Sequence, residues 1–134
     1  MNLLLDTHIL IWALNEDPRL PAKAKDLILD ENNSVYYSVV SLWEVSIKHA
    51  GHPDNVKFTG KELSEFCREA GFLSLEMRDR HVFALETVKR ASGAPLHNDP
   101  FDRMLIAQAK AEKMSFITHD SLLPYYSEDC ITPV

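Results

Sequence analysis

Asn2-Leu3-Leu4-Leu5-Asp6-Thr7-His8 decides the fold class of this chain. The run from Asn2 to Leu5 shows no alternation of polar and apolar residues. It therefore predicts a short strand buried on both faces, as in a parallel sheet, with the carboxylate of Asp6 at its exit. Ile9, Leu10, Trp12, Ala13 and Leu14 follow at helical spacing, and Asp17-Pro18 with Pro21 punctuates the end. Strand then helix is the first half of a β-α-β unit.

The same alternation continues outward. Ala22 to Leu29 predicts an amphipathic helix, and Val35 to Ser38 a second strand. A helix is expected from Ser41 through Lys48, with Glu44 in its first turn and Gly51 and Pro53 as its stop. Lys61 to Ala70 reads as a helix ended by Gly71, and Phe72 to Leu75 as a third strand. Arg78 to Arg90 predicts a further helix with Val82, Phe83, Leu85 and Val88 inward, released at Gly93 and Pro95. Pro100 opens a helix that runs through Lys113, Ser115 to Thr118 makes a fourth strand, and Cys130 to Thr132 an edge strand. Strands alternating with helices predict an α/β fold with a mostly parallel sheet and right-handed crossovers.

Composition bounds the function classes. With 134 residues, 46% hydrophobic and 25% charged, the expectation is one domain spanning residues 1–134 with its own core. The N-terminus lacks a positive leader and its apolar run is too short for a signal or membrane segment, so the reading is a cytoplasmic protein with no membrane partner. Cys67 and Cys130 have no metal-ligand spacing and read as free thiols. A net charge of −6 argues against a generic nucleic-acid binder. Five acidic residues gathered around divalent cations would change that, since setting them aside leaves −1 and the cations reverse the sign of the cleft.

Those five are Asp6, Glu44, Asp99, Asp102 and Asp120. Asp6 and Asp120 follow strands, Glu44 follows the second strand, and Asp99 and Asp102 stand three apart at a helix start, on one side of its first turn. In parallel α/β sheets ligands bind at the carboxyl ends of the strands, where Asp6, Glu44 and Asp120 fall and which Asp99 and Asp102 could reach through their helix N-terminus. Each also has an ordinary reading: Ser41-x-x-Glu44 matches a capping box, Glu44 and Lys48 an i,i+4 ion pair, and Asp99-Pro100 an N-cap with proline after it. Capping does not explain why so many caps are acidic, because clustered carboxylates raise one another's pKa unless a cation joins them. Oxygen donors without a cysteine cluster select hard ions, Mg²⁺ or Mn²⁺ over Zn²⁺, and the set suffices for one or two ions in a phosphoryl-transfer site. Around it, Thr7 and Thr118 offer hydroxyls for a carboxylate, Arg103 a guanidinium for a phosphate oxygen, and His97 either a phosphate contact or an exposed loop histidine. Trp12 and Trp43 read as core or interface residues.

Leu4-Leu5-Asp6-Thr7-His8, Ser38-x-x-Ser41-x-Trp43-Glu44, His97-x-Asp99-Pro100-Phe101-Asp102-Arg103-x-Leu105-x-Ala107-Gln108-Ala109 and Thr118-x-Asp120 together resemble the PIN domain, in particular VapC-like toxins of type II toxin–antitoxin modules. The resemblance runs in order over almost the whole chain. It implies a three-layer α/β/α sandwich with a parallel sheet of four or five strands and a metal-dependent ribonuclease activity on RNA. It also implies a homodimer, and an antitoxin whose tail occupies the active-site groove. Position by position, Asp6, Glu44, Asp102 and Asp120 resemble the family's acidic quartet, Asp99 its additional acid and Thr118 its supporting hydroxyl.

Two other classes compete. One is a non-catalytic module whose acidic pocket docks a basic partner segment, which metal-dependent RNA cleavage would exclude. The other is a phosphatase with Asp6 as nucleophile, disfavoured because the usual second aspartate two residues on is His8.

Overall fold

Leu3, Leu4 and Leu5 are each wholly buried, yet they enter two different cores. Leu4 packs with Phe116, Leu105 and Ile106 on one side of the sheet, while Leu3 and Leu5 pack with Ile9, Leu10, Val35 and Ile117 on the other. This is what successive side chains on opposite faces of a central strand must do, and each such leucine contributes about 1.5–3 kcal/mol of burial.

The computed structural model describes residues 1–134. The elements are β1 (Asn2–Leu5), α1 (Thr7–Leu14), α2 (Ala22–Leu29), β2 (Ser34–Ser38), α3 (Val39–Gly51), α4 (Gly60–Glu69), β3 (Leu73–Leu75), α5 (Asp79–Leu85), α6 (Pro100–Glu112), β4 (Ser115–Thr118) and β5 (Ile131–Pro133), with a 3-10 turn at Leu123–Tyr125. The five strands form one sheet in the order β3-β2-β1-β4-β5, and every pairing is parallel. Helices cover both faces: α6 supplies Met104, Leu105, Ile106, Ala107 and Ala109 to the first core, and α1, α2 and α4 supply Leu10, Ala24 and Leu63 to the second. The expected α/β/α sandwich is therefore present, with five strands.

Because β1 is central, with β2 on one side and β4 on the other, the strand order reverses there. A cleft at the carboxyl ends of β1 and β4 follows from that topology. Asp6 and Asp120 leave the sheet at this point. No helix is long and apolar enough to cross a membrane, and both cysteines are free thiols.

Three local expectations need correction. Helix α3 begins at Val39, not Ser41: the Ser38 hydroxyl caps it by accepting from Val40 N at 3.0 Å, so Ser41 lies inside the helix and Glu44 in its second turn. The capping box at Ser41 is absent. Helix α5 stops at Leu85 rather than Arg90, leaving Val82 and Phe83 41% and 64% exposed. Its buried side chain is His81, whose Nδ1 accepts from Arg78 N at 2.9 Å while Nε2 lies 3.1 Å from Glu112 on α6. Third, His97 is buried, at 8% exposure, and not a solvent-facing loop histidine.

Candidate metal centre

Asp6 caps α1, and the local reason is geometric: its Oδ1 accepts from Thr7 N at 2.8 Å, satisfying a donor that the first helical turn leaves free. The other oxygen, Oδ2, accepts from the Thr118 hydroxyl at 2.7 Å. Thr118 ends β4 and is wholly buried, and its oxygen also accepts from Asp120 N at 3.1 Å. One hydroxyl thus ties the ends of β1 and β4 together. Burial pushes the Asp6 carboxyl up to about 6, against the hydrogen bonds from Thr118 and Thr7 and the field of His8, with Glu44 adding to the rise.

Glu44 comes from α3 and is 3% exposed. Its Oε1 accepts from the Thr7 hydroxyl at 2.8 Å and its Oε2 from Lys48 Nζ at 2.5 Å. Since Thr7 donates to Glu44, the Ser41 hydroxyl 2.9 Å away donates to Thr7. Asp99 caps α6, its Oδ1 accepting from Phe101 N at 2.9 Å and Asp102 N at 3.2 Å. That leaves Oδ2 unused by the cap.

Asp102 feels every other acid of the set. Its carboxyl is pushed up to about 8, first by burial and then by the negative charges of Asp6, Asp99, Glu44 and Asp120. All four other candidate acids act on this one residue. Lys48 feels Glu44, Asp99 and Asp102 together, and their attraction outweighs its own burial to hold the ammonium above its usual range. Asp102, Asp120 and His97 place one ligand atom each within 4.8 Å of one another. The chemistry of these oxygen donors fits a hard divalent cation, which Asp102 and Asp120 could hold together.

A family model described as PIN domain matches residues 3–128. The chain belongs to the PIN domain family. PIN domains are generally nucleases and typically use a divalent metal. Among solved structures, this PIN domain is similar to a chain in the crystal structure of VapBC2 from Rickettsia felis bound to a DNA fragment from their promoter. The identity is 16%, the match covers 99% of this chain and 98% of that one, and the TM-score is 0.70. A second likeness is to FitAcB from Neisseria gonorrhoeae, at 20% identity, 90% and 88% coverage and a TM-score of 0.53. No curated protein matches the sequence.

The side chains around the acids differ from their sequence expectations. His97 Nε2 lies 3.1 Å from Asp102 Oδ2, and Nδ1 2.7 Å from the Tyr126 hydroxyl. A neutral imidazole satisfies both contacts by donating from Nε2 to the carboxylate and accepting the phenolic proton at Nδ1. Arg103 forms no ion pair, and its Nε is buried without a partner. Arg90 likewise has Nε and Nη2 buried and unpaired, with Cζ 5.2 Å from the Tyr126 ring centre. Arg19, Arg78 and Arg80 each have a carboxylate partner. Arg90 and Arg103 thus hold buried guanidinium nitrogens that no side chain of this protein satisfies.

Sequence reasoning missed Tyr126 and Arg90, which carry no local signal. It read Ser41 as a cap when its hydroxyl supports the Thr7–Glu44 contact. Spacing did reveal Lys48, four residues after Glu44, as its ion-pair partner.

Proposed function

We propose that this PIN domain is a Mg²⁺- or Mn²⁺-dependent endoribonuclease, the toxin of a toxin–antitoxin pair. The observation that carries the reading is that Asp102 and Asp120 bring ligand atoms within 4.8 Å of each other and of His97, in the negative field of Asp6, Asp99 and Glu44. In this reading the five carboxylates hold one or two ions. A bound cation supplies Lewis acidity, lowering the pKa of an attacking water and balancing charge on the phosphate.

The chain's own residues do the rest. Thr118 and Thr7 fix the Asp6 and Glu44 carboxylates, so the ligand oxygens need no reorganisation when a cation arrives. Arg103, unpaired beside Asp102, takes a non-bridging phosphate oxygen of the RNA backbone. His97, held by Tyr126, keeps Asp102 oriented and can carry a proton at Nε2. The attacking water oxygen bonds to phosphorus as the bond to the leaving ribose oxygen breaks. Water loses one proton and the leaving oxygen gains one.

The VapBC2 likeness supports an antitoxin partner, and the apolar stripe Val39, Trp43 and Ile47 on α3, exposed beside Glu44, suits a protein partner. A homodimer in the cytoplasm completes the reading.

The test is to incubate purified protein with total RNA, with Mg²⁺, with Mn²⁺ and with excess chelator, and to map the cut ends. Cleavage should require the cation and disappear in Asp6→Asn and Asp102→Asn while the circular dichroism spectrum is retained. Full cleavage in either variant, or in chelator, overturns the proposal. Cation and RNA binding without any cleavage favours the acidic-pocket binding module.

A further inference from the structure

Beside Asp6 and Asp120 lies a cleft of about 210 Å³ whose other walls are three rings, His8, Trp12 and His119. Trp12 follows His8 by one turn of α1, with ring centres 5.9 Å apart and planes tilted by 42°. On the β4 side the His119 ring stands 6.1 Å from the indole, nearly edge-on at 66°. His119 is held by its Nδ1, 2.5 Å from the O of Val134, the residue after β5. The Arg19 guanidinium, clamped by Asp17, lies 5.4 Å from the indole centre.

Core packing accounts for only part of this arrangement. His8 and His119 are exposed and belong to neither core, and Trp12 touches the second core from outside as a partly buried residue. Three aromatic rings around an open cleft offer π-faces and edges to a flat heterocycle. The two carboxylates in the wall repel phosphate, which leaves the base as the part of a nucleotide that these rings could take. Asp6 and Asp120 also belong to the proposed cation site, which puts that occupant next to the reacting phosphodiester.

We infer that the His8–Trp12–His119 cleft seats the base of the nucleotide flanking the scissile phosphate. The inference rests on the ribonuclease reading for its biological meaning, while its physical content is a stacking site for a nucleobase. Preference among bases would then come from this cleft.

The chain has two tryptophans, so a Trp43→Phe protein leaves Trp12 as the only indole emitter. Titration with adenosine, cytidine or uridine, which are uncharged and need no divalent cation, should quench Trp12 fluorescence saturably, whereas ribose should not. Trp12→Phe, in which only Trp43 emits, should stay unquenched. His119→Ala, at an exposed position, should weaken binding about ten-fold, as loss of one stacking ring does. Absence of saturable quenching at millimolar nucleoside, equal quenching by ribose, or unchanged affinity in His119→Ala overturns the inference. Quenching by acetyl-arginine amide in place of nucleosides would assign the cleft to a partner's side chain and overturn it as well. Because the readout requires no cleavage, a protein that stacks nucleosides but cuts no RNA keeps the cleft and loses the ribonuclease reading. A protein that cuts RNA without quenching does the reverse.

Discussion

The Thr118 hydroxyl donates to Asp6 Oδ2 at 2.7 Å across 112 residues of chain, joining the ends of the two central strands. Thr118→Val keeps the shape and removes the donor, leaving a buried carboxylate oxygen without its partner. Stability should fall by about 1–3 kcal/mol, and Mg²⁺ affinity, read by calorimetry, by about ten-fold or more. Thr118→Ser should restore the affinity. If Thr118→Val binds Mg²⁺ as the parent does, the hydroxyl has no part in holding Asp6.

Asp6 and Asp102 give the cation-free protein an inverted pH dependence. Their folded pKa values, about 6 and about 8, lie above the unfolded-chain value of 3.8, so each carboxyl supports the fold fully below pH 3.8. That support is lost as pH rises through 6 and then 8. Urea unfolding in chelator should therefore show stability falling between pH 4 and 8. At pH 8 Asp102→Asn should be the more stable protein, on the order of 2 kcal/mol after solvent screening. Adding Mg²⁺ should recover the wild type at pH 8 and leave Asp102→Asn nearly unchanged. Wild-type stability that rises with pH over this window in chelator would contradict the clustering of charge.

Asp99 has one oxygen in the α6 cap and one free, so two substitutions separate its roles. Asparagine caps as well as aspartate, and alanine does not. Asp99→Asn should keep the cap, so the unfolding midpoint in chelator at pH 8 does not fall, yet lower Mg²⁺ affinity, because a negative charge acting on Asp102 has gone. Asp99→Ala should lose about 1 kcal/mol of stability in addition. Equal Mg²⁺ affinity in Asp99→Asn and wild type would leave Asp99 as a cap alone.

How much of this was legible before the structure depends on the range of each interaction. Strands β1 and β4 and helix α6 could be read because apolar runs and Pro100 are local signals, and they place Asp6, Asp102 and Asp120 on one edge. The Thr7 and Thr118 hydroxyls were suspected for the same reason. His97 was not placed, since its burial depends on Tyr126, 29 residues away. Helix α5 misled in the opposite way: Val82 and Phe83 look like core residues, but the buried position is His81, satisfied by Glu112 from another helix. A buried polar side chain with a distant partner has no periodic signature. The register of α3 turned on whether Ser38 or Ser41 is the cap, and both are serines ahead of an apolar run.

Gly60 fixes how close α4 comes to the helix that carries Glu44. A methyl group built there would stand 2.1 Å from Ser46 Oγ and 2.7 Å from the Leu42 carbonyl oxygen, both on α3. The serine hydroxyl can turn away, whereas a carbonyl inside a helix cannot. Gly60→Ala should thus force α3 and α4 apart and cost about 1–3 kcal/mol in urea unfolding, as overpacking does. Adding Ser46→Ala should recover only part of the loss, since the backbone clash persists. Displacing α3 also pulls Glu44 from the Thr7 hydroxyl, so Gly60→Ala should weaken Mg²⁺ binding under conditions where it remains folded. An unchanged unfolding midpoint would mean that the two helices separate at no cost, and Glu44 would then owe its position to Thr7 and Lys48 alone.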